Sequence, residues 1–187
     1  MTQPSPMTVL VIVDVQEGMF DLPGIGPLHR DELLGNIRAL IDEARTADCP
    51  IIYIQHEGAA GHPLAKTQPG HAIAHEIAPQ MGDHVVRKRA CGMFKATELD
   101  DVLTGLTVRR LVICGMQTEF CVDTAVRTAA DRGYDVVVAS GAHATFDTPS
   151  LTATSIADHH EMIWKQAFGQ VMDVDKISFR EDAGAAV

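Results

Sequence analysis

The chain has few cysteines and few positive charges for its length. Four cysteines in 187 residues are too few for a disulfide framework, and no two of them form a C-x-x-C pair. The sequence therefore favours neither a zinc ribbon nor a thioredoxin-like site. The 15 Lys and Arg residues are outnumbered by 25 Asp and Glu residues, which gives a formal net charge of −10. This balance argues against a nucleic-acid partner and against attraction to an anionic membrane surface.

Long hydrophobic runs and an obvious targeting segment are also missing. The apolar run at residues 9–13 ends at Asp14, far short of the ~20 residues that span a bilayer. The preceding segment MTQPSPMT has no basic region typical of a signal peptide. We therefore expect a cytoplasmic protein without a membrane partner. Hydrophobic residues make up 46% of the chain, which is enough to build a core and predicts one domain over residues 1–187.

Short β-rich apolar runs alternate with amphipathic segments along the chain. The predicted strands are residues 9–13, 51–55, 84–88, 109–114, 135–139 and 171–174. The predicted helices are residues 31–47, 97–103 with Thr97 as N-cap, 122–132 and 151–165, with a further short helix at 71–78. This rhythm predicts an α/β fold, a three-layer Rossmann-like sandwich. Its sheet is mostly parallel and roughly six-stranded, with helices on both faces.

An acid, a base and a thiol stand at three predicted strand ends. Asp14 follows the first strand, Lys88 ends the third, and Cys121 lies six residues beyond Gly115, which follows the fourth. Ligands of open α/β sheets bind beyond the carboxyl ends of the strands, so these groups are expected to meet. A nucleophilic cysteine needs a nearby cation and a group that takes its proton.

Each of these residues also has an ordinary structural interpretation. Cys121 alone fits a small core side chain, and Asp14 alone fits a residue that holds a loop. Lys88 lies between Arg87 and Arg89, which is typical of a solvated basic cluster. The three together indicate chemistry far more strongly than any one of them.

Other polar groups carry weaker signals. His143 and Asp147 fit either the wall of the site or a local turn. Cys91 fits a structural or incidental role, and a thiol-redox function is disfavoured because no resolving cysteine is adjacent in sequence. Several residues near the second strand end could bind a metal, but their spacing matches no strong motif, so no metal site is predicted; these are His56, Glu57, His62, His71 and His75.

Three segments of the chain match a known pattern. They are VLVIVDVQEGMF (9–20), VVRKRACGMF (85–94) and LVICGMQTEFCVDTAVRTAADRGYDVVVASGAHATFD (111–147). With them the chain resembles the isochorismatase-like cysteine hydrolases, which include nicotinamidases and N-carbamoylsarcosine amidases. The last segment is the most specific of the three.

The resemblance implies a set of site residues. It implies a catalytic triad of Asp14, Lys88 and Cys121, with Phe94 six residues beyond the lysine selecting Lys88 over its arginine neighbours. It implies a non-proline cis peptide between Met116 and Gln117, and an oxyanion hole formed by the amides of Gln117 and Cys121. The substrate-binding residues that it implies are Gln16, Phe20, Phe94 and Met116.

The departures from the family pattern refine the expected activity. Cys121 occupies a position at which true isochorismatases often lack cysteine, and IQHEGAAGH (54–62) lacks the Asp-x-His metal motif of nicotinamidases. We expect a hydrolase that cleaves a C–N bond of a small amide or ureide-like compound through a thioester, with no cofactor. The alternatives are an isochorismatase-type vinyl-ether hydrolase and a non-catalytic small-ligand-binding protein. A homo-oligomer is expected from the family and from the apolar helix at 151–165.

Overall fold

The sheet of the protein is entirely parallel. The computed structural model describes residues 7–20 and 27–180, and it contains one six-stranded sheet in the order β3-β2-β1-β4-β5-β6. Each strand runs parallel to its neighbours. The strands are β1 Met7–Val13, β2 Ile51–His56, β3 His84–Lys88, β4 Val108–Met116, β5 Asp135–Ala144 and β6 Gln170–Asp173. The predicted fold class is confirmed.

Helices cover both faces of the sheet. They are α1 Glu17–Phe20, α2 Pro27–Thr46, α3 Leu99–Gly105, α4 Asp123–Asp131 and α5 Ala153–Ala167. Successive strand residues point to opposite faces, so Leu10 and Ile12 pack in the core that contains α2 residues. The core on the other face contains Val9, Val11 and side chains of α3, α4 and α5. In the described segments no helix is both long and apolar enough to cross a bilayer.

Several predicted helix boundaries differ from the structure, including that of α2, which begins at Pro27 and not at residue 31. The segment 71–78 is not a continuous helix but contains parts of two 3₁₀ turns, Pro69–His71 and His75–Ile77. Helix α3 begins at Leu99 with Glu98, not Thr97, at the N-cap position; the Thr97 hydroxyl donates to the Met93 carbonyl at 2.6 Å and accepts the N–H of Leu99 at 3.4 Å. Helix α5 begins at Ala153, where the Thr152 side chain accepts the N–H of Ser155 at 3.1 Å.

The topology reverses direction between β1 and β4, and the two strands come very close there. The chain runs from β1 outward to β2 and β3, and then returns to place β4 on the other side of β1. Gly115 has φ +122°, and a Cβ on it would lie 2.1 Å from the Val13 carbonyl oxygen. Only glycine fits this position. The carboxyl ends of β1 and β4 therefore form a crevice, which is where ligands bind in such sheets.

Candidate active site

The structure brings Asp14, Lys88 and Cys121 into direct contact. The Lys88 Nζ atom lies 2.6 Å from Asp14 Oδ2 and donates to Cys121 Sγ at 3.1 Å. Asp14 follows β1, Lys88 ends β3, and Cys121 lies in a π-helical turn, Thr118–Val122, that joins β4 to α4. The three predicted catalytic residues thus occupy one site at the crevice.

Lys88 is a buried cation with several acceptors. It is 1% exposed, and its ammonium also donates to the carbonyls of Ala90 and Cys91, both at 3.1 Å. Burial disfavours the charged form, but the negative charges of Asp14 and Cys121 outweigh it and raise the pKa of Lys88. Lys88 therefore supplies a fixed positive charge beside the sulfur.

Asp14 presents one carboxylate oxygen that has no partner. The residue is 2% exposed, and its Oδ1 atom is buried without a hydrogen bond. Burial raises the pKa of Asp14 above its ordinary range, although Lys88 opposes the shift. A carboxylate with a raised pKa and a free oxygen is suited to accept a proton.

Cys121 is held mainly as a thiol by its surroundings. Burial and then the charge of Asp14 raise the pKa of its thiol, and Lys88 opposes them. Because Asp14 and Cys121 disfavour each other's negative charge, one proton is shared between them and they titrate as a unit.

A pocket of about 310 Å³ opens onto this cluster. Its lining residues are Asp14, Met19, His56, His62, Leu64, Cys91, Met116, Gln117, Phe120 and Cys121. Both predicted oxyanion-hole residues, Gln117 and Cys121, are among them. The Met116–Gln117 peptide bond is cis. Of the four predicted substrate-binding residues, Met116 lines the pocket.

Gln16, predicted to bind substrate, is not among the residues that line the pocket. Its side-chain amide donates to the carbonyls of His56 at 3.0 Å and His71 at 2.8 Å. Its Oε1 accepts the N–H of His56 at 2.8 Å. Because backbone groups engage both polar atoms of this buried amide, Gln16 ties the end of β2 to the following loop.

Phe20 and Phe94 also lie outside the pocket lining. The Phe94 ring packs between the Arg132 guanidinium, 4.0 Å from its centroid, and the ring of Tyr134 at 6.3 Å. The Phe20 ring lies under the Arg30 guanidinium at 4.2 Å. In the structure both aromatic rings pack against arginine side chains, and contact of either ring with substrate stays a prediction.

The loop after β2 supplies pocket residues whose role the sequence did not reveal. His62 folds back so closely that a Cβ on Gly58 would lie 2.5 Å from its Nδ1. That Nδ1 accepts the N–H of Leu64 at 3.1 Å, so Nε2 carries the proton of the neutral ring. Burial lowers the pKa of His56, which is therefore neutral at neutral pH. Gly58 was the available sequence signal for this close approach.

A buried network supports the turn that carries Cys121. Thr118 Oγ1 lies 3.0 Å from His143 Nδ1, and His143 Nε2 lies 3.2 Å from Glu161 Oε1. His143 thus stands behind the turn and does not line the pocket. Asp147 is used elsewhere, because its Oδ1 accepts the N–H of Ala153 at the start of α5 at 2.7 Å.

The histidines near the second strand end do not form a metal cluster around the pocket. In the described segments the one group of three candidate ligands is Glu17, His75 and Glu76, whose ligand atoms lie within 4.8 Å of one another. Arg30 already forms ion pairs of 3.0 Å with both of these glutamates. The group lies outside the pocket lining.

Comparison with known proteins gives a consistent result. The family model of the Isochorismatase domain matches residues 8–176. Streptothricin hydrolase from Streptomyces noursei is 35% identical over 80% of this chain, which spans 59% of that relative's length. The secreted isochorismatase effector Isc1 from Verticillium dahliae is 33% identical over 89% of this chain and 84% of its own.

Two further likenesses concern an amidohydrolase and a solved structure. The ureidoacrylate amidohydrolase RutB from Rhizobium rhizogenes is 30% identical over 65% of this chain and 64% of its own length. A crystal structure of an isochorismatase family protein is 32% identical, with a TM-score of 0.81 over 89% of this chain and 98% of that one. The parallel sheet and its helices therefore have a counterpart in an experimental structure.

Proposed function

The chain belongs to the isochorismatase-like cysteine hydrolase family, and from that premise we propose that it hydrolyses a C–N bond of a small amide or ureide-like compound through a thioester. The observation that carries the proposal is the contact of Cys121 Sγ with the Lys88 ammonium at 3.1 Å, beside a carboxylate with an unpaired buried oxygen. Relatives named as a streptothricin hydrolase and an amidohydrolase add support.

The first half of the reaction forms the acyl-enzyme. Asp14 Oδ1 accepts the thiol proton while Lys88 stabilises the developing thiolate, and the Cys121 sulfur attacks the carbonyl carbon. The N–H groups of Gln117 and Cys121 hold the oxyanion. Asp14 then returns the proton to the leaving nitrogen, the C–N bond breaks, and ammonia or an amine departs.

The second half of the reaction releases the acid. Asp14 takes a proton from water, whose oxygen attacks the thioester carbonyl, and the C–S bond breaks. The sulfur recovers the proton as a thiol. The same carboxylate therefore serves as base and acid in both halves, which fits a residue with a raised pKa.

The pocket favours a small substrate with an apolar part. Its volume is about 310 Å³, and Met19, Leu64 and Phe120 contribute apolar walls. His56, whose pKa is lowered by burial, offers a hydrogen bond on the same lining without adding a fixed charge. This combination suits an uncharged amide or ureide better than a polyanion.

A vinyl-ether hydrolase is the second candidate, because one relative is named as an isochorismatase. That reaction needs an acid that protonates the vinyl group, and it does not need a thiol. Vinyl-ether hydrolysis would leave the contact between Cys121 and Lys88 without a catalytic role. A non-catalytic ligand-binding protein is the third candidate, and it requires neither Asp14 nor Cys121 to be reactive.

The three candidates separate in one substrate screen. From a panel of primary amides, ureides and vinyl ethers, we expect the wild-type enzyme to hydrolyse an amide or a ureide. Cys121→Ala is expected to lower kcat/KM by about three orders of magnitude or more. Cys49→Ala is the matched control, because Cys49 precedes β2 at the opposite end of the sheet. Turnover of a vinyl ether alone, undiminished in Cys121→Ala, would support the second candidate instead.

A further inference from the structure

A second thiol lies against the proposed nucleophile. Cys91 Sγ is 3.7 Å from Cys121 Sγ and 3.3 Å from the hydroxyl of Thr124. The two cysteines are 30 residues apart in the chain, so this neighbour cannot be found from sequence spacing. Cys91 is exposed, whereas Cys121 is half-buried. No step of the proposed hydrolysis uses Cys91.

We propose that Cys91 and Cys121 form a site of reversible disulfide modification, in which a peroxide oxidises Cys121 and Cys91 resolves the product. The modification blocks the sulfur that the proposed hydrolysis requires. It also protects that sulfur, because an unresolved sulfenic acid goes on to irreversible sulfinic acid. The inference goes beyond the proposed function and does not depend on which substrate is hydrolysed.

Lys88 contacts both cysteines of the pair. The Lys88 ammonium donates both to Cys121 Sγ and to the backbone carbonyl of Cys91, each at 3.1 Å. The sulfurs need to approach from 3.7 Å to a bond length of about 2.05 Å. Cys91 lies in an irregular segment between β3 and α3, and its exposed side chain can turn about χ1 to close that gap.

The chemistry balances with one peroxide molecule. The Cys121 thiol gives its proton to Asp14, its sulfur attacks a peroxide oxygen, and the O–O bond breaks. The leaving hydroxide takes the proton as water and leaves Cys121 as a sulfenic acid. The Cys91 sulfur then attacks the Cys121 sulfur, the S–O bond breaks, and the second hydroxide leaves as water with the Cys91 proton. Two thiols are oxidised, and the peroxide is reduced to two waters.

The other two cysteines are placed where they cannot replace Cys91. Cys114 is fully buried within β4, with its Sγ 3.7 Å from the Val11 carbonyl. Cys49 Sγ lies 3.5 Å from the carbonyl of Phe179, at the other end of the sheet from the pocket. Cys49→Ser is therefore a matched control that removes one thiol and leaves the pair intact.

The test is peroxide oxidation of the full chain, read by mass. Reduced protein receives two equivalents of hydrogen peroxide, because sulfinic acid formation consumes two and disulfide formation consumes one. The reaction is quenched in acid, and the unfolded protein is assayed for remaining thiols and mapped by peptide mass. We expect wild type to lose two of its four thiols as a peptide linking residues 91 and 121. Cys49→Ser should form the same link. Cys91→Ser should instead carry sulfinic acid at Cys121.

Reversal with dithiothreitol gives the second readout. Wild type should recover both thiols and nearly all of its own reduced turnover, whereas oxidised Cys91→Ser should recover little of its own. The proposal is overturned if no 91–121 peptide forms, or if Cys91→Ser and wild type recover equally. Because the link is identified by mass, failure of the amide-hydrolase proposal would leave this test intact.

Discussion

Burial and neighbouring charges determine whether Asp14 or Cys121 carries the proton that these two residues share. Burial pushes both Asp14 and Cys121 toward their neutral forms, and the charge of Asp14 pushes Cys121 further in that direction. Lys88 opposes both shifts and stays charged itself. A sulfur in this setting is a poor nucleophile until Asp14 removes its proton. In the proposed mechanism, therefore, Cys121 is activated by the base and not by a permanently low thiol pKa.

Asp14→Asn should change alkylation and hydrolysis in opposite directions. Removing the carboxylate removes a negative charge that raises the pKa of Cys121, so the thiolate forms at lower pH. Iodoacetamide should then label Cys121 faster at pH 7 than in wild type. Hydrolysis should fall by about two orders of magnitude or more, because the base is gone. The labelled residue is identified by peptide mass, which separates Cys121 from the exposed Cys91.

Lys88→Met is the matching variant for that experiment. It removes the cation that opposes the high thiol pKa, so alkylation and hydrolysis should both fall. If Asp14→Asn slowed alkylation as well, Asp14 would be acting as a structural residue and not as the base.

The sequence could predict which residues lie near the site, but not where their side chains point. Asp14, Lys88 and Cys121 stand directly at or after strand ends, and the parallel topology forces those ends together. The sequence cannot show which way a side chain turns once it is near the site. Gln16 turned to the backbone of His56 and His71, and Phe94 turned to Arg132.

Two packing contacts between secondary-structure elements hold the site in place. One is the contact between β1 and β4 at Gly115, and the other is the packing of α5 behind the Cys121 turn through Glu161 and His143. The strands were predictable because buried parallel strands are continuous apolar runs. The π-helical turn and the extension of β5 to Ala144 were not, because they depend on contacts between distant segments.

Gly115→Ala should be far more destabilising than Gly133→Ala. Both glycines have positive φ, but the new Cβ would clash with Val13 at position 115 and meets nothing within 4 Å at position 133. We expect about 1–2 kcal/mol for Gly133→Ala and about 4 kcal/mol or complete loss of folding for Gly115→Ala. Urea unfolding followed by the fluorescence of the single tryptophan, Trp164, measures both. Equal losses would contradict the close approach of β1 and β4.

Glu161→Gln should lose stability in a pH-dependent way. The hydrogen bond with His143, together with that from Ser140, lowers the pKa of Glu161 from 4.5 to about 2. A lowered folded-state pKa stabilises the protein above 4.5, and this stabilisation is lost as the pH falls toward 2. The difference in urea unfolding midpoint between wild type and Glu161→Gln should be largest at pH 7 and should shrink below pH 4.5. The exposed Glu32→Gln provides the reference, and a gap independent of pH would contradict the account.

At the scale of the whole molecule, the apolar surface of α5 is smaller than the sequence indicated. Two large apolar residues of the predicted helix at 151–165, Ile156 and Trp164, are buried. The Trp164 indole donates to Asp123 at 2.8 Å, inside the same chain. Leu151 and Met162 remain exposed, at 54% and 47%. Self-association stays a prediction, and it now depends on these two residues.

Light scattering after size exclusion at micromolar concentration tests that prediction. We expect a mass above that of the 20.2 kDa chain, because the exposed apolar side chains of Leu151, just before α5, and Met162, within it, favour burial against a second copy. Met162→Glu should lower the mass toward one chain. Met81→Glu, at an equally apolar but isolated and fully exposed position, should not. A wild-type mass of one chain would show that α5 faces solvent.

The most direct test of the central claim is to trap the acyl group on Cys121. Wild-type enzyme turning over its amide or ureide substrate is quenched in acid within milliseconds and mapped by peptide mass. We expect the peptide that contains Cys121 to carry the added mass of the acyl group. Hydroxylamine should remove that added mass and release the acyl group as a hydroxamate. Hydrolysis of the same substrate by Cys121→Ala at the wild-type rate, with no hydroxamate formed by wild type, would contradict the central claim.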